Sequence, residues 1–138
     1  MIEIRNKRGD VLYQHRDEEE TLCAAVESAL EEGIDLSEAL FDGQDLREAN
    51  FERAKLRAAS FRAAKLQHAN FEDAQLQDAI FDDADLSGSN LERASLLGAH
   101  FVGAELRGAN LEGCHLERAN LQNARGQGIN CSACFRQN

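Results

Sequence analysis

The sequence predicts a mainly β fold: a four-sided β-solenoid of about five coils, closed at its N-terminal end by a small β-hairpin and an α-helix. Three observations carry that prediction. Every fifth residue from Leu36 to Leu121 is Leu or Phe, in 18 places out of 18. Two residues before each next centre, from position 39 to 124, the residue is Ala in 15 of 18 cases, with Gln44, Ser89 and Cys114 the exceptions. The triplet Asn-[Phe/Leu]-Glu returns at Asn50, Asn70, Asn90 and Asn110, always 20 residues apart, and Asn130 extends the Asn row by one step.

The period of five excludes a helix for this region. Five residues at about 100° each advance an apolar position by roughly 140° per repeat and smear it around the cylinder. In extended backbone, residues two apart share a face, so each Ala and the following Leu or Phe both point inward while the other three residues point out. Each pentapeptide is then one side of the solenoid, and the 20-residue recurrence sets four sides per coil. Residues 20 apart stack at about the 4.8 Å spacing of paired strands, so the five coils of 34–133 span roughly 24 Å. The absence of Pro agrees, because every coil must donate backbone N–H groups to its neighbour.

Residues 1–33 carry none of the repeat and are expected to form the cap. Ile2 and Ile4 alternate with polar residues, Asn6 to Asp10 contains the turn-former Gly9, and Val11, Leu12 and Tyr13 resume extended character, which predicts a hairpin. A helix is expected next. Asp17 is its expected cap, Glu18 to Glu20 suit a positive N-terminus, Leu22, Ala25, Val26, Ala29 and Leu30 form an apolar stripe, and Gly33 ends it. Such a cap covers strand edges that would otherwise invite association. No comparable cap is expected in the C-terminal stretch, where 134–138 form a short tail and Ile129 and Phe135 lie near the open end.

The repeated pattern, as in AAKLQHANFEDAQLQDAIFDDADL, resembles the pentapeptide-repeat family with its A(D/N)LXX consensus, over about 100 of 138 residues. The resemblance implies a right-handed quadrilateral β-helix. It fades where Gly126 and Cys131 take centre positions, and an irregular last turn is expected there. Because some members of the family dimerise through their C-terminal ends, a similar homodimer through Ile129 and Phe135 is expected.

Composition removes several functions. A formal charge of -10 argues against direct nucleic-acid binding, which needs a concentrated basic surface. No apolar run approaches the ~18 residues of a membrane span, and the start MIEIRNKRGD has no apolar signal region, so the expected compartment is the cytoplasm. Four scattered cysteines then read as reduced thiols. Cys131-Ser-Ala-Cys134 has a metal or redox spacing, but Cys114 and Cys131 stand at inward positions that a small apolar thiol fills, so the reading is structural, with no metal and no cofactor. The best general-base candidates, His100 and His115, are 15 apart and lie on different sides. No Ser has a His partner and no Gly-rich loop joins a strand to a helix, so no enzyme is expected.

Stacking by 20 turns the charges into rows. Asp42-Arg62-Asp82, Asp45-Lys65-Asp85 and Arg53-Asp73-Arg93 alternate in sign and read as cross-coil pairs. Glu52, Glu72, Glu92 and Glu112 break that rule by stacking like charges, and the expected function is built on them: a rigid, non-catalytic interaction module that presents this row to a basic protein surface. The alternative follows from the resemblance, since some members mimic duplex DNA and bind DNA gyrase. Residues 1–32 hold nine acids and four bases and residues 33–138 hold sixteen and eleven, so the rod carries only -5. Duplex DNA carries about one charge per 1.7 Å, or roughly fourteen over the same length.

Overall fold

A computed structural model describes residues 1–16, 20–132 and 134. The backbone is a ladder of parallel bridges between residues 20 apart, from Leu40 with Ser60 to Asn110 with Asn130. Each bridging residue donates its N–H up the ladder, as Ser95 does to Ala74 O, and the inward residue beside it donates down, as Leu96 does to His115 O. A Pro at either kind of position would delete one rung, which accounts for its absence.

Between bridges the chain turns a corner. In each corner the N–H of the Ala three residues after a centre donates back to that centre's carbonyl, as from Ala54 to Phe51 O at 3.0 Å. The third residue of the turn is left-handed throughout. Twelve non-glycine residues, Arg53, Ala58, Ala63 and Asp73 among them, hold φ between 54° and 62°. Such backbone costs each L-residue about 1 kcal/mol or more, and the ladder over-determines it.

The inward positions form the core. The Ala, Leu and Phe columns from Leu36 to Leu116 are almost fully buried. Phe41, Phe61, Phe81 and Phe101 stack in one column at centroid spacings of 5.2, 5.0 and 5.0 Å, and Phe51 stacks on Phe71 at 4.9 Å. Rings in neighbouring columns meet edge to face at 5.6 to 5.8 Å, so stacked and T-shaped contacts alternate through the core. Two exceptions to the Ala column behave differently. Gln44 is exposed at the first coil, whereas Ser89 is buried with its hydroxyl unpartnered among the described residues.

The cap is a hairpin and one helix. Strands β1 (Ile2–Arg5) and β2 (Val11–His15) pair antiparallel, and the turn between them is tied by Asn6 Oδ1, which accepts from the N–H groups of Arg8 and Asp10. Leu40 N–H donates to Arg5 O and Lys7 N–H to Glu38 O, which seats the hairpin on the first coil. Helix α1 (Leu22–Glu31) buries Ala25, Val26 and Ala29 against the first coil. Its N-cap is Thr21, whose hydroxyl accepts from Ala24 N–H; the expected cap, Asp17, lies outside the described residues and five positions before the helix starts.

Candidate functional site

The Asn row builds the surface that carries the Glu row. Each Asn donates its side-chain amide to the Asn one coil earlier, at 3.3 to 3.4 Å from Asn70 through Asn130. The same side-chain oxygens accept from the N–H two residues on, so Asn50, Asn70, Asn90 and Asn110 hold the backbones of Glu52, Glu72, Glu92 and Glu112 at 3.0 to 3.1 Å. The four glutamates therefore share one rotational position on successive coils, about 4.8 Å apart.

The row is less bare than its like charges imply. Arg93 reaches Glu72 at 2.5 Å, Glu92 at 2.6 Å and Asp73 at 3.0 Å, and Arg53 stands 3.9 Å from Glu52. Reading rows vertically misses these contacts, because Arg93 meets Glu92 within one coil and Glu72 on a diagonal. Glu112 has no side-chain partner among the described residues, and Gly113 beside it brings no charge to meet it. Asp73 holds the Arg93 guanidinium charged beyond its usual range, and Arg93 in turn keeps the Asp73 carboxyl low.

The structure also extends the stripe where sequence reasoning did not look. Glu27 and Glu31, one helical turn apart on α1, line a groove of about 280 Å³ with Glu52, Asn50, Arg53 and Leu30. Their spacing was legible, but the docking of α1 above Glu52 was not. The stripe then holds seven acids (Glu27, Glu31, Glu52, Glu72, Asp73, Glu92 and Glu112) against two bases (Arg53 and Arg93), a net of -5 on one edge.

The alternating rows are only partly cross-coil pairs. Arg93 with Asp73 follows the expectation, and Arg62 with Asp82 does so at 3.9 Å. Asp45 instead takes Arg47 of its own coil at 2.7 Å, which pulls its carboxyl down to about 2, and Asp42 accepts from the Ser60 hydroxyl and the Arg62 N–H. An arginine two residues away on the same side reaches a carboxylate more easily than a lysine one coil below.

Other candidates stand apart. His100 and His115 occupy rows on adjacent sides, and His115 lies 3.7 Å from Glu117. Among the described residues no group of three His, Cys, Asp or Glu is placed to hold a metal, and no helix is long and apolar enough to cross a membrane. Ile129 is half-buried on the last described coil, and Phe135 lies outside the described residues.

The cysteines differ from expectation. Cys131 and Cys134 form a disulfide, so these two are not reduced thiols, and Cys131 is exposed. Cys114 follows its inward position: it is buried, its thiol donates to Leu91 O at 2.7 Å, and burial pushes it up to about 12.

A family model described as Pentapeptide repeats matches in 8 copies, over residues 34–73, 54–93, 69–105, 84–123 and 99–130. A pentapeptide repeat protein from the Arabidopsis thaliana thylakoid lumen is 36% identical with a TM-score of 0.51, over 72% of this chain and 63% of that one. The chain thus spans under two thirds of the Arabidopsis protein's length. A pentapeptide repeat protein from Nostoc is 28% identical over 83% of this chain and 85% of its own, with a TM-score of 0.45. QnrB1, a plasmid-mediated fluoroquinolone resistance protein, is 18% identical over 71% and 62%, with a TM-score of 0.43. No curated protein matches the chain.

Proposed function

The chain belongs to the pentapeptide repeat family, and from that premise we infer that it works as a rigid, non-catalytic module that docks a basic protein surface along the Glu27 to Glu112 edge. The observation that carries this reading is the seven-to-two excess of acids on one edge, four of them, Glu52, Glu72, Glu92 and Glu112, on backbone that the Asn row holds. A backbone already held in place has little freedom to lose on binding, and the uncompensated charge steers a cationic partner by an amount that falls with salt. The Leu30 side chain in the upper groove offers an apolar seat for a lysine or arginine stem.

The test compares affinity capture by wild type, by a Glu52, Glu72, Glu92, Glu112→Gln variant, and by a control in which Asp78, Asp82 and Asp83 become Asn. Partners retained by wild type and control but lost by the Glu variant, and eluted by salt, support the edge; identical partner sets for all three discard it.

A second reading is a DNA mimic that engages DNA gyrase, supported by the overall charge of -10. Its discriminating assay is gyrase supercoiling, in which no effect at tens of micromolar protein removes it. Self-association through the last described coil, using Ile129 and Phe135, is a further part of the proposal. Light scattering at micromolar concentration gives a dimer mass for wild type and a monomer mass for Ile129→Asp, and a monomeric wild type overturns it.

A further inference from the structure

We propose that Cys131 and Cys134 form a reversible dithiol–disulfide site, oxidised by a low-molecular-weight disulfide of the glutathione type, that locks the corner of the last described coil. The corner geometry of the repeat produces the site. In every pentapeptide a centre and the residue three later face each other across a turn; in this one both are cysteine, and the Cys134 N–H donates to Cys131 O at 3.3 Å. The turn sets the two Cα atoms 5.4 Å apart, inside the span of about 4.4 to 6.8 Å that a disulfide bridges. A spacing that looks incidental in the linear sequence therefore coincides with a structural corner.

The third cysteine nearby does not compete. Cys114 stacks one coil above Cys134, but it is buried, its thiol is engaged with Leu91 O, and its deprotonation is suppressed by burial. Exposure divides the work between the other two. Cys131 is exposed, whereas Cys134 is half-buried with Sγ 2.8 Å from Leu111 O. The Cys131 thiolate attacks one sulfur of the small disulfide, forms a mixed disulfide and expels one thiolate. The Cys134 thiolate then attacks the Cys131 sulfur and expels the second. The protein loses two electrons and two thiol protons, and the co-reactant gains both as two free thiols.

Closing the corner constrains the strand segment on which the coil above depends. Leu111 N–H donates to Asn130 O and Gly113 N–H to Ser132 O, so both amides report how firmly 130–132 is held. The experiment equilibrates the full chain with glutathione redox mixtures, quenches with acid and N-ethylmaleimide, and maps the thiols by mass. Hydrogen exchange of Leu111 and Gly113 is measured in the reduced and oxidised forms. The expected results are a link between Cys131 and Cys134 alone, a trapped glutathione adduct on Cys131 in Cys134→Ser, and exchange of both amides slowed about tenfold on oxidation. Absence of the link at every glutathione ratio overturns the site, and equal exchange rates in the two forms overturn the lock.

Discussion

Ser89 offers the sharpest test of how the core is built. It stands in the Ala column between Ala69 and Ala109 at 1% exposure, and its hydroxyl has no partner among the described residues. A buried hydroxyl left unpaired costs about 1–3 kcal/mol, and the methyl of alanine loses almost no packing relative to it. Ser89→Ala is therefore expected to stabilise the fold by about 1–2 kcal/mol, which raises Tm by about 3–5 °C per kcal/mol for a chain of this length. Ala69→Ser, one coil above, places a hydroxyl in the same column and is expected to lower stability by about 1–3 kcal/mol. Thermal unfolding followed by circular dichroism reads both. A Tm that falls in Ser89→Ala, or is unmoved in Ala69→Ser, would refute the claim that this column is dry and tolerates only apolar atoms.

Four further outcomes follow from the same geometry. Ala63 holds φ 54° at a corner, so Ala63→Gly removes strain of about 1 kcal/mol or more against an entropic loss of about 0.5–1, for a small net gain in Tm. Gly98→Ala runs the other way, because Gly98 holds φ 67°, where alanine is strained by about 1 kcal/mol or more while the exposed Asp78 carboxylate swings aside from the new Cβ, and it lowers Tm. Phe71→Ala breaks the stack on Phe51 and its edge contacts with Phe61 and Phe81, for a loss of about 3–5 kcal/mol in denaturant unfolding. The carboxyls of Asp45 and Asp73 are lowered by Arg47 and Arg93. Groups depressed in the folded state add stability that is present above the unfolded value and lost as pH falls through the folded one. Tm is therefore expected to fall between the ordinary 3.8 of an aspartate and about 2, with a shallower fall in Asp45→Asn. A flat wild-type profile across that window contradicts the assignment.

How much of this was legible depends on how far each residue acts along its own row. The Ala, Leu and Phe columns, the four-sided coil and the Asn ladder all follow from residues 20 apart, and each has a vertical partner that sequence arithmetic finds. The corners were illegible for another reason. Arg53, Ala58 and Ala63 take left-handed backbone that their side chains do not favour, and the ladder imposes it. Thr21 rather than Asp17 caps α1, because the Thr21 hydroxyl stands where the helix starts and accepts from Ala24 N–H. The compensation of the Glu row lay hidden because Arg93 acts along a diagonal, a relation that a row-by-row reading does not form. Glu27 and Glu31 joined the edge only through the docking of the cap.

Whether residues 20 apart are neighbours underlies the columns, the ladder and the acidic edge alike, and pyrene fluorescence tests it directly. With the native cysteines replaced, pyrene is attached at cysteines introduced for Gln75 and Ser95, which bridge on one side, or for Gln75 and Asp85, which stand on opposite sides. The account predicts strong excimer emission from the first pair and monomer emission from the second. Excimer from the second pair and none from the first would contradict it.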